Sequence, residues 1–290
     1  MRNWFTTLLG RLGPLAATVL AGGILAGALV RVGPGFGADE RELDTRLTAA
    51  SRAEIRAERM GNSNLFRFYA RYFASMARGD FGMSETFQRP IGELIRYRAP
   101  VTAGIMATGV VGGWALAFAA AIPAALSRRR FCAGSMGLLT GVLISVPSAV
   151  LAILVFNLGG PVRAIVALVV FPRVFDYLRN LLRDAYSQPH ILMARAKGLG
   201  NARILFRHVL PVAAPQLLAL AGVSATMAFG AAIPVETLCD IPGIGQLAWK
   251  AALARDLPVL VVLTAIVTLV TQLCNSVPDW VGRRGEAGGV

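Results

Sequence analysis

Five mostly apolar stretches, near 14–32, 101–126, 136–158, 212–235 and 257–277, each hold enough residues to cross a bilayer as a helix. The hydrocarbon core takes about 20 residues of α-helix, which satisfies its own backbone hydrogen bonds in lipid. A weaker sixth run, 161–180, is interrupted by Arg163, Arg173 and Asp176. The expectation is an all-α integral membrane protein with six transmembrane helices. Composition agrees. The chain is 55% hydrophobic and only 16% charged, where soluble domains carry about a quarter charged residues. Mean hydropathy is +0.59. So much apolar surface could not be hidden in one soluble core. The net charge of +13 invites a nucleic-acid reading, but the basic residues fall mostly between the apolar runs, where a topology signal belongs.

That signal is consistent. Arg2 and Arg11 precede the first run, and Arg128, Arg129 and Arg130 follow the second. Arg179, Arg183, Arg195, Lys197, Arg203 and Arg207 lie in 179–210, and Arg283 and Arg284 follow the last run. With six spans these four regions share one side, which the positive-inside rule makes cytoplasmic. The chain then divides into a cytoplasmic N-terminus 1–13, a first span 14–32, an outer segment 33–100, a five-helix core 101–281 and a cytoplasmic tail 282–290. The core carries a cytoplasmic loop at 179–210, a short outer turn near 157–161 and an outer loop at 236–256. Both termini are expected inside. Ala26-Gly27-Ala28 resembles a signal-peptide cleavage site, but cleavage would strand the new N-terminus outside and fit the charge pattern less well.

Cys132, Cys239 and Cys274 are scattered, and His190 and His208 have basic, helical flanks. Neither a disulfide framework nor a metal site is expected. Gly23-x-x-x-Gly27 and Gly109-x-x-x-Gly113 permit close helix packing, although chance in alanine- and glycine-rich spans explains them equally well. Arg173 and Asp176 lie three apart on one helix face and could pair, with snorkelling toward the cytoplasmic end as the simpler account.

The most informative stretch is Ala194-Arg195-Ala196-Lys197-Gly198-Leu199-Gly200, continuing to Leu210 and Pro211. Pro189 suits a first helical turn with Ser187 as its cap. A short helix, a glycine turn over 198–200 and a second basic helix should follow, with Pro211 opening the next span. Small residues on the first helix would let it lie in a groove of another protein, with lysine and arginine at the rim. The plainer reading is a basic loop near lipid headgroups.

The spacing from Gly198 to Leu210-Pro211 resembles the EAA signature of binding-protein-dependent ABC transporter permeases, and ARAKGL resembles its form in the dipeptide/oligopeptide/nickel (DppB/OppB-like) branch. Further along, Glu236-Thr237, Pro242-Gly243-Ile244-Gly245-Gln246-Leu247 and Arg255-Asp256-Leu257-Pro258 resemble the branch's outer signature. Arg31-Val32-Gly33-Pro34-Gly35, Arg78-Gly79-Asp80-Phe81-Gly82 and Ser145-Val146-Pro147-Ser148 resemble other segments in family order.

The resemblance implies a type I, MetI-like permease fold in a bacterial inner membrane, and a subunit forming half of a path for a short peptide, nickel or similar solute by alternating access. Implied partners are a homologous second permease, two ABC ATPase subunits and an extracytoplasmic substrate-binding protein. Residues 194–200 with Leu210 and Pro211 would form the ATPase-coupling segment. Glu236, Pro242, Gly243, Gly245 and Asp256 would belong to a loop docking the binding protein. ATP and magnesium would sit in the partner ATPases, with no cofactor or metal in this chain.

Neither Lys197 nor Lys250 follows a glycine, so no G-x-x-x-x-G-K-[ST] loop is present, and no catalytic constellation is recognisable; an enzyme is not expected. The family pattern is broken at Leu192-Met193-Ala194, which lacks the acid of the EAA position, at Pro189-His190, at the short turn Asn157–Pro161 and at the C-terminus. The short turn favours the alternative of a non-transporting accessory subunit that keeps the permease fold.

Overall fold

The computed structural model describes residues 78–126 and 130–287 together with Ala21, Ser75 and Met76, with side chains described to 125 and over 135–274. Apart from Ala21, the expected first span 14–32, with the Gly23–Gly27 pair, the Arg31–Gly35 motif and most of 33–100, lies outside the described residues. The described helices are α1 (Ile91–Leu126), α2 (Arg130–Ser145), α3 (Ser148–Asn157), α4 (Val162–Tyr186), α5 (Pro189–Ala196), α6 (Asn201–Ile204), α7 (Leu210–Leu238), α8 (Ile244–Leu253) and α9 (Leu257–Ala287), with a π-helical turn over Leu205–Val209. Among the described residues the sole β pairing is an isolated bridge between Met83 and Pro90.

Among the described residues, three stretches are long and apolar enough to cross a membrane: Ile91–Ala125, Asn201–Leu238 and Leu257–Cys274. The run 136–158, expected as one span, is broken instead. α2 and α3 meet at 100°. Pro147 stands at the N-cap of α3 with φ −57° and ψ 141°; it has no N–H to continue a helix, and it disfavours helical geometry in Val146 before it. α3 and α4 are joined by the four residues 158–161. Gly159 takes φ +69° there, and a Cβ on Gly160 would come within 2.7 Å of Val155.

Of the described residues, those up to Tyr97 form one compact unit with Leu247–Leu269, and those of Arg98–Gln246 form another with the chain from Val270 onward. The second unit is organised around α4. Ile165, Val166, Val170, Val174, Phe175, Leu178 and Leu182 are completely buried, and those from Val170 to Leu182 fall on one side of the helix. α2, α3 and α7 pack against α4. α1 reaches it through glycine: a Cβ on Gly109 would lie 2.5 Å from Val166, and one on Gly113 would lie 3.0 Å from the Ala167 carbonyl. Gly109-x-x-x-Gly113 is therefore a contact surface. Lipid tails are as apolar as the helices, so such close approach is what holds spans together. Trp114 on α1 donates its indole N–H to Ser224 on α7 at 3.0 Å, and the Ser224 hydroxyl donates to the Leu220 carbonyl at 2.7 Å.

Several local expectations change. α4 runs six residues past 180, to Tyr186, so Arg173 falls near its middle. Arg173 and Asp176 form no ion pair; Asp176 accepts a hydrogen bond from Thr140 on α2 at 3.3 Å. Ser187 does not cap α5. It is the C-cap of α4, its hydroxyl donating to the Asp184 carbonyl at 2.7 Å, while Gln188 stands at the N-cap of α5. The segment 236–256, expected as an outer loop, contains a ten-residue helix, α8.

The α1–α4 contact makes a direct prediction. Gly109→Ala should destabilise the protein by about 1–3 kcal/mol, the usual cost of overpacking. Gly104→Ala, at a position with nothing within 4 Å of its Cβ, should be neutral. Thermal unfolding in detergent measures both, and equal melting temperatures would refute the contact.

Candidate functional site

The segment 187–211 is built like a bracket. α5 begins at Pro189, whose missing N–H costs nothing in a first turn. Ile191 and Ala194 face inward, 1% and 6% exposed, whereas Leu192 and Met193 are 54% and 62% exposed. α5 ends in a Schellman motif. The Leu199 N–H donates to the Ala194 carbonyl at 3.2 Å and the Gly198 N–H donates to the Arg195 carbonyl at 2.9 Å, with Gly198 at φ +75°. Only glycine enters that left-handed region freely. Nothing in the chain lies within 4 Å of a Cβ on Gly198, so within this chain it is the backbone angle that calls for glycine. The Arg195 guanidinium lies 5.1 Å from the Tyr186 ring centroid, which ties α5 to the end of α4.

Gly200 caps α6, and the chain continues as one helical stretch from Asn201 to Leu238. Its π-helical turn at Leu205–Val209 immediately precedes Leu210 and Pro211. Pro211 has no N–H for the Arg207 carbonyl and its ring would press on that carbonyl; a wider turn relieves both problems. Leu205 and Val209 are buried, while Phe206 is 69% exposed.

Among the expected contact residues, Arg195, Ala196, Lys197, Gly198 and Gly200 are exposed, Leu199 is partly covered and Ala194 is buried in its own chain. Ala194 therefore anchors α5 and cannot seat it in a partner. The outward apolar groups are Leu192, Met193 and Phe206, which the sequence reading passed over. Burial of Ile191 and Ala194, three residues apart, turns the positions between them outward, and that spacing was the available signal.

The motif from Glu236 to Gly245 has a different logic. Glu236, near the end of α7, is fully buried. Its Oε2 accepts from the Gly245 N–H at 2.6 Å and the Gln246 N–H at 3.2 Å, and the Thr102 hydroxyl of α1 accepts from the Ile244 N–H at 2.8 Å. The first N–H groups of α8, which have no partner within the helix, are thereby satisfied at its positive dipole end. Gln246 also accepts from Arg98 at 3.2 Å and donates to Asp240 at 2.7 Å. A Cβ on Gly243 would overlap the Glu236 carboxylate, and one on Gly245 would lie 2.6 Å from the Ile233 Cα. Both glycines are there to admit the carboxylate and backbone.

In the other unit, Asp256 caps α9: its Oδ1 accepts from the Val259 N–H at 3.3 Å. Its Oδ2 accepts from the Ser84 hydroxyl at 2.5 Å and the Thr86 N–H at 3.0 Å, joining the segment near Arg78–Gly82 to the start of α9. Asp256 is 1% exposed. Of the five expected docking residues only Pro242 is exposed. Glu236, Gly243, Gly245 and Asp256 are enclosed by their own chain and hold the loop in place.

Glu236→Ala should leave the Gly245 and Gln246 N–H groups unpaired, at a cost of about 1–3 kcal/mol. Hydrogen exchange at the amides of 244–246 should accelerate, with Glu236→Gln intermediate. Unchanged protection in the alanine variant would disprove the clamp.

Comparison with known proteins gives this geometry its context. Residues 109–286 match the family model described as binding-protein-dependent transport system inner membrane component. The oligopeptide transport system permease protein OppB of Salmonella typhimurium is 30% identical over 238 residues, covering 74% of this chain and 77% of that protein. The oligopeptide transport system permease protein AppB of Bacillus subtilis is 26% identical over 271 residues, covering 82% and 84%. The dipeptide transport system permease protein DppB of Lactococcus lactis is 26% identical over 234 residues, covering 74% and 77%. The match spans both the bracket at 187–211 and the clamped loop after Glu236, and the chain belongs to the family of binding-protein-dependent transport system inner membrane components.

Proposed function

We propose that this chain is one of two homologous permease subunits of an ATP-driven importer in a bacterial inner membrane. It crosses the membrane six times with both termini cytoplasmic; 14–32 supplies the first span, α2 and α3 a bent one, and α4 a polar one. Two ATPase subunits bind ATP and magnesium, and an extracytoplasmic binding protein delivers the solute. The relatives' names make a short peptide the leading cargo. One observation carries the coupling role: Leu192, Met193 and Phe206 stand exposed among Arg195, Lys197, Arg203 and Arg207 on a segment rooted by Ile191 and Ala194. Apolar anchors inside a charged rim are the usual make-up of a protein-binding surface. Nucleotide-driven closure of the ATPases would then move α5 and shift the spans between two states that bind nucleotide differently.

The four-residue turn 158–161 keeps the accessory-subunit reading in view. Co-purification with the ATPases and substrate-stimulated ATPase activity separates the two. Met193→Asp and Gly198→Asp should each lower ATPase association at least about tenfold, since one places a charge in the apolar patch and the other strains the Schellman turn. Stoichiometric association in both variants, or in a deletion of 194–198, would refute the coupling assignment.

A further inference from the structure

The exposed faces of the described helices differ in chemistry. On α2 the exposed groups include Leu138, Leu139, Val142 and Ile144, and on α3 they include Val150, Ile153, Leu154 and Phe156. Lipid can cover both faces. α4 differs. Opposite the buried Phe175, Leu178 and Leu182, Arg173, Tyr177, Asn180 and Asp184 are exposed at spacings of four, three and four, a single helical stripe. Arg173 stands eleven residues into a 25-residue helix, about 16 Å from its start at 1.5 Å per residue. An arginine near the middle of a span costs about 2.5–3.5 kcal/mol or more against hydrocarbon, so such residues face a water-filled cavity or another protein. Among the described residues, neither Arg173 nor Tyr177 has a hydrogen-bond or ion-pair partner.

Nearer the start of α4, Arg163 borders a shallow cleft of about 350 Å³ whose other walls, among them Val101, Ile105, Val162 and Ile241, are apolar. A guanidinium beside apolar walls, followed about 15 Å further along the helix by a second guanidinium, suits a solute that is partly apolar and carries a carboxylate. Arginine's fork of N–H donors pairs with a carboxylate in two parallel hydrogen bonds.

We propose that the polar stripe of α4 lines the aqueous route of the solute, and that Arg173 receives a carboxylate of that solute as it passes. The inference rests on the importer reading and sharpens it: the cargo of this subunit is anionic at one end, as a peptide with a free C-terminus is.

The test uses the complete transporter in proteoliposomes, with Cys132, Cys239 and Cys274 replaced by serine. Arg173→Cys, Tyr177→Cys and Asn180→Cys should react with a membrane-impermeant sulfonated maleimide at least about tenfold faster than Leu139→Cys and Ile153→Cys. Equal, slow labelling of all five would overturn the aqueous face, whether lipid or a partner covers it. Uptake of a tripeptide with a free C-terminus is then compared with uptake of its C-terminal amide. Arg173→Gln should lower the acid-to-amide ratio about tenfold relative to the parent, and Arg173→Lys should retain most of it. An unchanged ratio in Arg173→Gln would overturn the carboxylate contact. A parent complex that takes up neither tripeptide defeats the peptide reading, while the labelling contrast still decides whether α4 faces water.

Discussion

The burial of one side of α4 is the constraint on which the second unit depends. This helix carries Arg163, Arg173, Asp176, Arg179, Arg183 and Asp184, too many charges for a helix that lipid surrounds. Its opposite side meets α2, α3 and α7 with residues that are wholly enclosed, and α1 closes on it only because Gly109 and Gly113 have no side chains. Packing, not hydropathy, is what holds α4 among the helices of this unit. Solvent-driven association is weak between helices in lipid, so the dispersion contacts of Val166, Val170 and Phe175 must carry much of that attachment.

The ends of the helices follow a second rule, that each terminal N–H or C=O needs a partner when water is scarce. Glu236 and Thr102 serve the start of α8, and Asp256 serves the start of α9. The Schellman turn at Gly198 serves the end of α5. Motif residues that look like a surface signature thus turn out to be internal fittings. Conspicuous glycines and carboxylates mark where the backbone comes close or must be held, and the groups free to meet a partner are the plainer residues beside them.

This explains how much was legible in the sequence. Helical class, the apolar spans within 91–126, 201–238 and 257–274, the short turn after α3 and the bracket around Gly198 could all be read, because apolar run length and glycine-proline punctuation are local signals. The break at Pro147 was visible as a motif but not as an angle: a proline says that a helix must stop, whereas the direction of its continuation depends on tertiary packing. The end of α4 was set too early because its charged turns resemble a loop until the buried side is known. Ser187 was assigned to the wrong helix for a related reason; its hydroxyl can serve either neighbour, and only geometry decides. Glu236 and Asp256 look like exposed acids until long-range hydrogen bonds, 9 and 172 residues apart in sequence, enclose them.

The unbroken helical stretch from Asn201 to Leu238 has one further consequence. Its 38 residues make a shaft about 57 Å long at 1.5 Å per residue. One end carries the basic bracket, and Glu236, two residues from the other end, grips α8. Such a shaft transmits rotation as well as translation. A twist applied near Phe206 arrives at the carboxylate that holds α8, except for whatever the π-helical turn absorbs. That turn is the one place where the shaft is wound at a different pitch, so its stiffness sets how much of an input torque reaches the far end.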